Sequence, residues 1–201
     1  MNEDRVNIYT LLDNLKIRRA MYLGNGHTFS TLDSFISGFT TAAADEQLEL
    51  NDYPNFCYFN TWLLGHLDNN FGLSGGWHWQ IANKNPNDDD NAFIDFFSFL
   101  DVFKSSKTHS KYIIVDKGAV EHCKDNVKRS RVIDGKEFIS DKTPFKIIWT
   151  AIDNSTTVWI SYFDQNDNAI SIDKWRIDAD EALNMLVAEF GSFRNDWIID
   201  K

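Results

Sequence analysis

The chain has 201 residues, with 30 Asp and Glu against 20 Lys and Arg, a net charge of −10 and a pI near 4.8. Hydrophobic residues make up 43% and aromatics 14%, so a core can form without staples, and two cysteines lacking a CxxC spacing, Cys57 and Cys123, exclude a disulfide framework. The acidity repels nucleic-acid phosphates and anionic lipid, no apolar run reaches the roughly 20 residues of a membrane span, and Met1 to Arg5 lacks the pattern of a secretory signal. A cytoplasmic protein that meets neither nucleic acid nor membrane is expected.

Val6, Tyr9, Leu12, Leu15 and Ile17 form one helical stripe, which predicts an amphipathic first helix ending at the turn Met21-Tyr22-Leu23-Gly24-Asn25-Gly26. Ser30 followed by Asp33 approximates a capping box for a second helix with Leu32, Phe35, Ile36 and Phe39 at helical spacing, running to about Ala44. A third follows Pro54, carries Phe56, Phe59, Trp62, Leu63 and Leu67, and ends near Gly72 and Gly75-Gly76. Asp88-Asp89-Asp90 precedes Phe93, Phe96, Phe97, Leu100 and Phe103, placing negative charge at the start of a fourth helix that ends near Lys104.

Beyond Ser105 to Lys111 the composition shifts to strand formers, so the expected boundary separates a helical lobe, residues 1–110, from a β-meander plus helix lobe, residues 111–201, with one continuous domain as the alternative. Tyr112 to Val115, Phe145 to Ile152, Thr156 to Phe163 and Ala169 to Ile172 read as strands, and Asp164 to Asn168 as a turn within an antiparallel meander. A last helix from about Asp178 to Phe190 presents Leu183, Leu186, Val187 and Phe190 to that sheet, while Lys128-Arg129-Ser130-Arg131 reads as a solvated loop. The fold class expected is α+β: an N-terminal helical part followed by a small antiparallel β-meander with a C-terminal helix. Residues 1–110 hold 14 acidic and 7 basic side chains, against 16 and 13 in the remainder, so the acidity concentrates in the helical part.

No catalytic or cofactor motif stands in the right context: there is no HExxH, GxSxG, Walker A loop or strand-borne GxGxxG, and the five histidines lack ligand spacing. No metal, cofactor or catalytic residue is therefore assigned, and the reading is of a non-enzyme. Trp77 and Trp79 share a face if extended; they either pack in the core or anchor a partner. Asp88 and Asp90, or Asp164 and Asp167, could serve as a carboxylate pair in a hydrolase between the lobes, but helix capping and turn formation account for them as well.

Three segments carry a family resemblance: Arg18-Arg19-Ala20-Met21-Tyr22-Leu23-Gly24, Phe35-Ile36-Ser37-Gly38-Phe39 and Phe59-Asn60-Thr61-Trp62-Leu63. In this order they resemble immunity proteins of contact-dependent growth inhibition and related polymorphic-toxin systems, with a departure at Ala20, where the family turn carries Pro-Gly. The resemblance covers the first half, to Phe103. It implies a cytosolic antidote that binds the toxic C-terminal domain of a delivered effector, often a nuclease with a basic cleft that an acidic surface can steer toward. The contact residues expected on that reading are Asp88, Asp89, Asp90 and Asp95, with Trp77 and Trp79 as anchors and Asp164 and Asp167 as a second acidic tip. The alternatives are the hydrolase and a non-inhibitory adaptor module.

Overall fold

Buried apolar stripes on its longer helices, meeting at a cluster of aromatic rings, organise the N-terminal part. The computed structural model describes residues 7–43, 53–67, 76–114, 129–133, 136–140, 145–175, 177–190 and 198–199. The chain is an α+β protein that divides into two compact units, Met1–Lys107 and Thr108–Lys201. The break falls just before residue 110 because the first strand takes in Thr108 to Ser110 as well.

In the first unit α1 (Ile8–Ile17) is capped by Asn7, whose side chain accepts from the Thr10 amide at 3.0 Å. It buries Ile8, Tyr9, Leu11, Leu12 and Leu15, whereas Ile17 is 80% exposed, two residues and so some 200° around the helix from Leu15. The chain then turns into a separate short helix, α2 (Arg19–Leu23). The next helix, α3 (Phe29–Ala42), begins earlier than the Ser30 cap expected: Thr28 and Thr31 form the reciprocal capping box. The earlier start brings Phe29 onto the buried stripe with Leu32 and Ile36. After Pro54 a single 3₁₀ turn (Phe56–Tyr58) leads into α4 (Phe59–His66).

The remaining helices are α5 (Gly76–Lys84) and α6 (Asp89–Ser105). Phe93, Phe96, Phe97, Leu100 and Phe103 form the inner face of α6, all no more than 5% exposed. At the centre the Phe59 ring meets Phe56, Trp62, Trp77, Phe96 and Phe103 at centroid distances of 5.4 to 6.4 Å, mostly edge-on or tilted, the arrangement that ring quadrupoles favour.

The second unit is built on a five-stranded antiparallel sheet in the order β6-β5-β4-β1-β7, with strands β1 (Thr108–Ile114), β4 (Lys146–Ile152), β5 (Val158–Phe163), β6 (Ala169–Trp175) and β7 (Ile198–Ile199). The expected meander is β4-β5-β6, and β1 adds to it by pairing Ile113 with Ile147 and Tyr112 with Ile148. The basic run read as a loop is instead strand from Arg129 onward: β2 (Arg129–Ile133) pairs with β3 (Lys136–Ser140) in a separate hairpin. Helix α7 (Ala179–Phe190) starts at Asp178, whose carboxylate accepts from the Asp180 and Glu181 amides, and packs Ala182, Leu183 and Leu186 onto Ile113, Ile147, Trp149, Val158, Ile160 and Tyr162. No helix among the described residues is long and apolar enough to cross a membrane.

Candidate functional site

The residues expected to make contacts divide sharply once their neighbours are known. Asp88 is the N-cap of α6: its Oδ1 accepts from the Asn91 amide at 3.0 Å and its Oδ2 from the Asn91 side chain at 2.6 Å. Asp89 reaches away from its own helix and accepts from the Phe29 amide at 3.1 Å, so a first-turn residue of α6 satisfies an orphan N–H at the start of α3. Asp90 pairs with Arg19 at 3.2 Å while its side chain stays 91% exposed. Asp95 is held by Lys84 at 2.9 Å and by the Asn85 side chain at 2.8 Å. Partial burial works to raise the Asp95 carboxyl, but donation from Asn85 and Lys84 and the ammonium charge outweigh it, and its pKa lies below the usual aspartate value.

The two tryptophans do not share a face. Residues 76 to 84 are helical, so Trp77 and Trp79 point about 200° apart: Trp77 is 9% exposed against Phe29, Phe59 and Phe96, and Trp79 is 40% exposed. Only Trp79 stands at the surface. Asp164 shapes the β5–β6 turn, accepting from the Asn166 and Asn168 amides at 2.8 and 3.0 Å, and Asp167 takes the left-handed φ of 57° with an ion pair to Lys146 at 3.5 Å. The Asp164 carboxylate thus has turn-forming work, while Asp167 serves the turn through its backbone and keeps a side chain 75% exposed.

The charge count shifts the picture further. In the described part of the first unit seven carboxylates (Asp13, Asp33, Asp88, Asp89, Asp90, Asp95, Asp101) face six cations (Lys16, Arg18, Arg19, Lys84, Lys104, Lys107), which is close to balance. The excess sits in the sequence outside the described residues, above all in Asp45, Glu46, Glu49 and Asp52.

What the structure assembles instead is a ladder along α6. Lys104 binds Asp13 at 2.9 Å, Lys16 binds Asp101 at 2.8 Å, and Arg19 at the start of α2 binds Asp90, so α1 runs antiparallel to α6 with paired charges at successive levels. Arg19 also lies 3.9 Å over the Phe93 ring, and Lys16 lies 5.7 Å over Phe97. Ile17, Met21 and Ile94 are exposed at 80%, 65% and 62% on these same three helices. Ile94 was legible as an apolar residue off the buried stripe of α6; the Arg19–Asp90 pair, 71 residues apart in sequence, had no local signal. In the second unit His109 and Asp153, both solvent-facing, meet at 2.8 Å and tie β1 to the turn after β4. Among the described residues no group of three or more His, Cys, Asp or Glu is placed to hold a metal ion.

Comparison with protein-family models, with curated proteins and with solved structures finds no match.

Proposed function

We propose that this chain is a binding protein that neutralises a partner by occupying it, and specifically a cytoplasmic immunity protein against the toxic domain of a contact-dependent inhibition effector, with a basic, nuclease-type surface as its target. One juxtaposition supports the reading most. Arg19, inside the Arg18 to Gly24 segment that carries the resemblance, is bound to Asp90, inside the acidic triplet assigned to the interface. The segment that carries the resemblance and the acidic triplet are therefore joined by an ion pair, which supports reading them as parts of one surface.

That surface offers polar and apolar contacts together, since Asp88 and Asp90 are exposed beside α2 and α6 bearing Met21 and Ile94. Asp89 and Asp95 support helix packing and contribute to binding through position, and Trp77 belongs to the core. Net charge of −10 supplies long-range steering toward a basic partner.

The test is co-expression with the polypeptide encoded immediately upstream, followed by size-exclusion chromatography and a toxicity assay. Co-elution with suppressed toxicity supports the reading; separate elution with persistent toxicity, or an innocuous upstream product, overturns it. Within a complex, Asp88→Ser combined with Asp90→Asn keeps a capping oxygen while removing two charges. Association should slow by about tenfold at low salt, with a flatter salt dependence. Unchanged kinetics would remove the α6 N-terminus from the interface.

A further inference from the structure

Every α-helix of the first unit but one buries apolar side chains among the described residues. The exception is α2, which buries none and receives no side-chain cap from Arg18. Its two ends have unusual backbone geometry. The chain leaves α1 at Arg18 with φ −127° and ψ 46°, and leaves α2 through Gly24 with φ 80° and ψ 175°, followed by Gly26 with φ 73°. The Gly24 torsions fall in a region that is essentially glycine-only.

The contacts holding α2 are few and peripheral. Arg19 binds Asp90 and covers the Phe93 ring, Tyr22 meets Phe35 edge-on at 6.1 Å, and the His27 Nδ1 lies 2.9 Å from the Gly24 carbonyl. Phe93 stands at the margin of the core: it is 1% exposed, yet its helical neighbours Asp90 and Ile94 are largely in water. Arg19 lies against this ring and His27 meets it edge-on at 5.5 Å.

We propose that α2 is a strap that lifts as a unit about Arg18 at one end and Gly24 to Gly26 at the other, carrying Arg19 off Phe93 while α1, α3 and α6 stay folded. The lifted state presents an aromatic ring beside the exposed Ile94. Few buried contacts and solvent-bordered hydrogen bonds are the features of segments that open locally, below the free energy of global unfolding. The proposal is independent of what the chain binds.

Gly24 gives a clean handle on the strap. A Cβ there meets nothing within 4 Å, so Gly24→Ala strains the closed torsions without creating a clash. In a chain with Cys57→Ser and Cys123→Ser, Phe93→Cys places a thiol under the strap and Ile81→Cys places one in α5 at a site 0% exposed. Labelling with a disulfide reagent should proceed faster at position 93 than at 81. Gly24→Ala should accelerate it by about tenfold or more and Arg19→Ala, which removes the exposed pair with Asp90, by about two- to fourfold, both at position 93 alone. Equal rates at the two positions, or variants that accelerate both together, would sink the strap. If Phe93→Cys fails to fold, hydrogen exchange on the otherwise native chain decides the question. A five-residue helix does not hold once its contacts with the rest of the unit are gone, so the Met21 and Gly24 amides, bonded to the Arg18 and Ala20 carbonyls, should exchange through the lifted state, faster in Gly24→Ala while α3 and α6 amides do not change; protection equal to that of α3 overturns the proposal.

Discussion

The two units solve the same problem, fixing which segment lies beside which, by different means. In the sheet unit the backbone does it: β1, β4, β5 and β6 are held in register by their ladders, and many polar side chains work close by, as Asp164 in its turn and Asp178 at the start of α7. Helices use their backbone groups internally, so nothing in the main chain specifies how two of them pack. In the helical unit side chains take over. The Asp89 to Phe29 bond, the Tyr9 hydroxyl donating to the Pro54 carbonyl, and the pairs Asp13–Lys104, Lys16–Asp101 and Arg19–Asp90 join residues 45 to 91 positions apart. Their centre is a set of rings with directional contacts, whereas the sheet unit packs mainly Ile, Val and Leu around Trp149 and Tyr162.

If rings rather than ladders set the helical unit, its largest loss comes from the ring with many neighbours. Phe59→Ala should cost about 4 to 5 kcal/mol, and Ile160→Ala, at an equally buried position of the sheet, about 2 to 3 kcal/mol, both read from denaturant midpoints. Comparable losses would mean that the aromatic cluster packs no more demandingly than the aliphatic one. A second comparison lies within α5: Trp77→Ala should again cost several kcal/mol, on the order of 3, while Trp79→Ala costs under about 1 kcal/mol in the free chain. Similar costs would contradict the helical placement that separates them.

That pair marks where sequence reading stopped short. Stripes such as Phe93, Phe96, Leu100 and Phe103 announce a helix because burial repeats with the helical period, and the Asp164 to Asn168 turn is announced by side chains that bond their own backbone. Trp77-His78-Trp79 follows two glycines and contains an alternation, which favours an extended reading until the stripe Trp77, Gln80 and Ile81 is seen to be buried. The cap that Asp88 makes to Asn91 is local and was legible, but the partners of Asp89 and Asp90, Phe29 and Arg19, arrive through tertiary packing and were not. Thr28 was likewise displaced in favour of Ser30, since only packing reveals that Phe29 must lie inside the helix.

Asp89 tests the long-range side-chain bonds at a smaller scale. Asp89→Ala removes the acceptor for the Phe29 amide and should cost about 1 kcal/mol, whereas Asp89→Asn, which keeps an oxygen, should recover much of it. A loss in Asp89→Asn equal to that of alanine would assign the effect to charge at the α6 N-terminus and not to the bond between helices.

The smallest expected effect is also the one with a sign set by protonation. Asp95 is held by Lys84 and Asn85, its native pKa lies below the usual aspartate value, and its unfolded pKa is about 3.9. The native state therefore prefers the charged form more than the unfolded chain does. That preference stabilises the fold fully above the unfolded value and disappears as pH falls through the lower native one. Asp95→Asn removes it, so the stability difference from the wild type should be flat near neutrality and shrink below about pH 4. Because Lys84 is about half in water, the difference should stay under about 1 kcal/mol. A difference that instead grows on acidification would mean that desolvation governs Asp95, and that this pair, unlike the bond from Asp89, burdens the packing of α5 against α6.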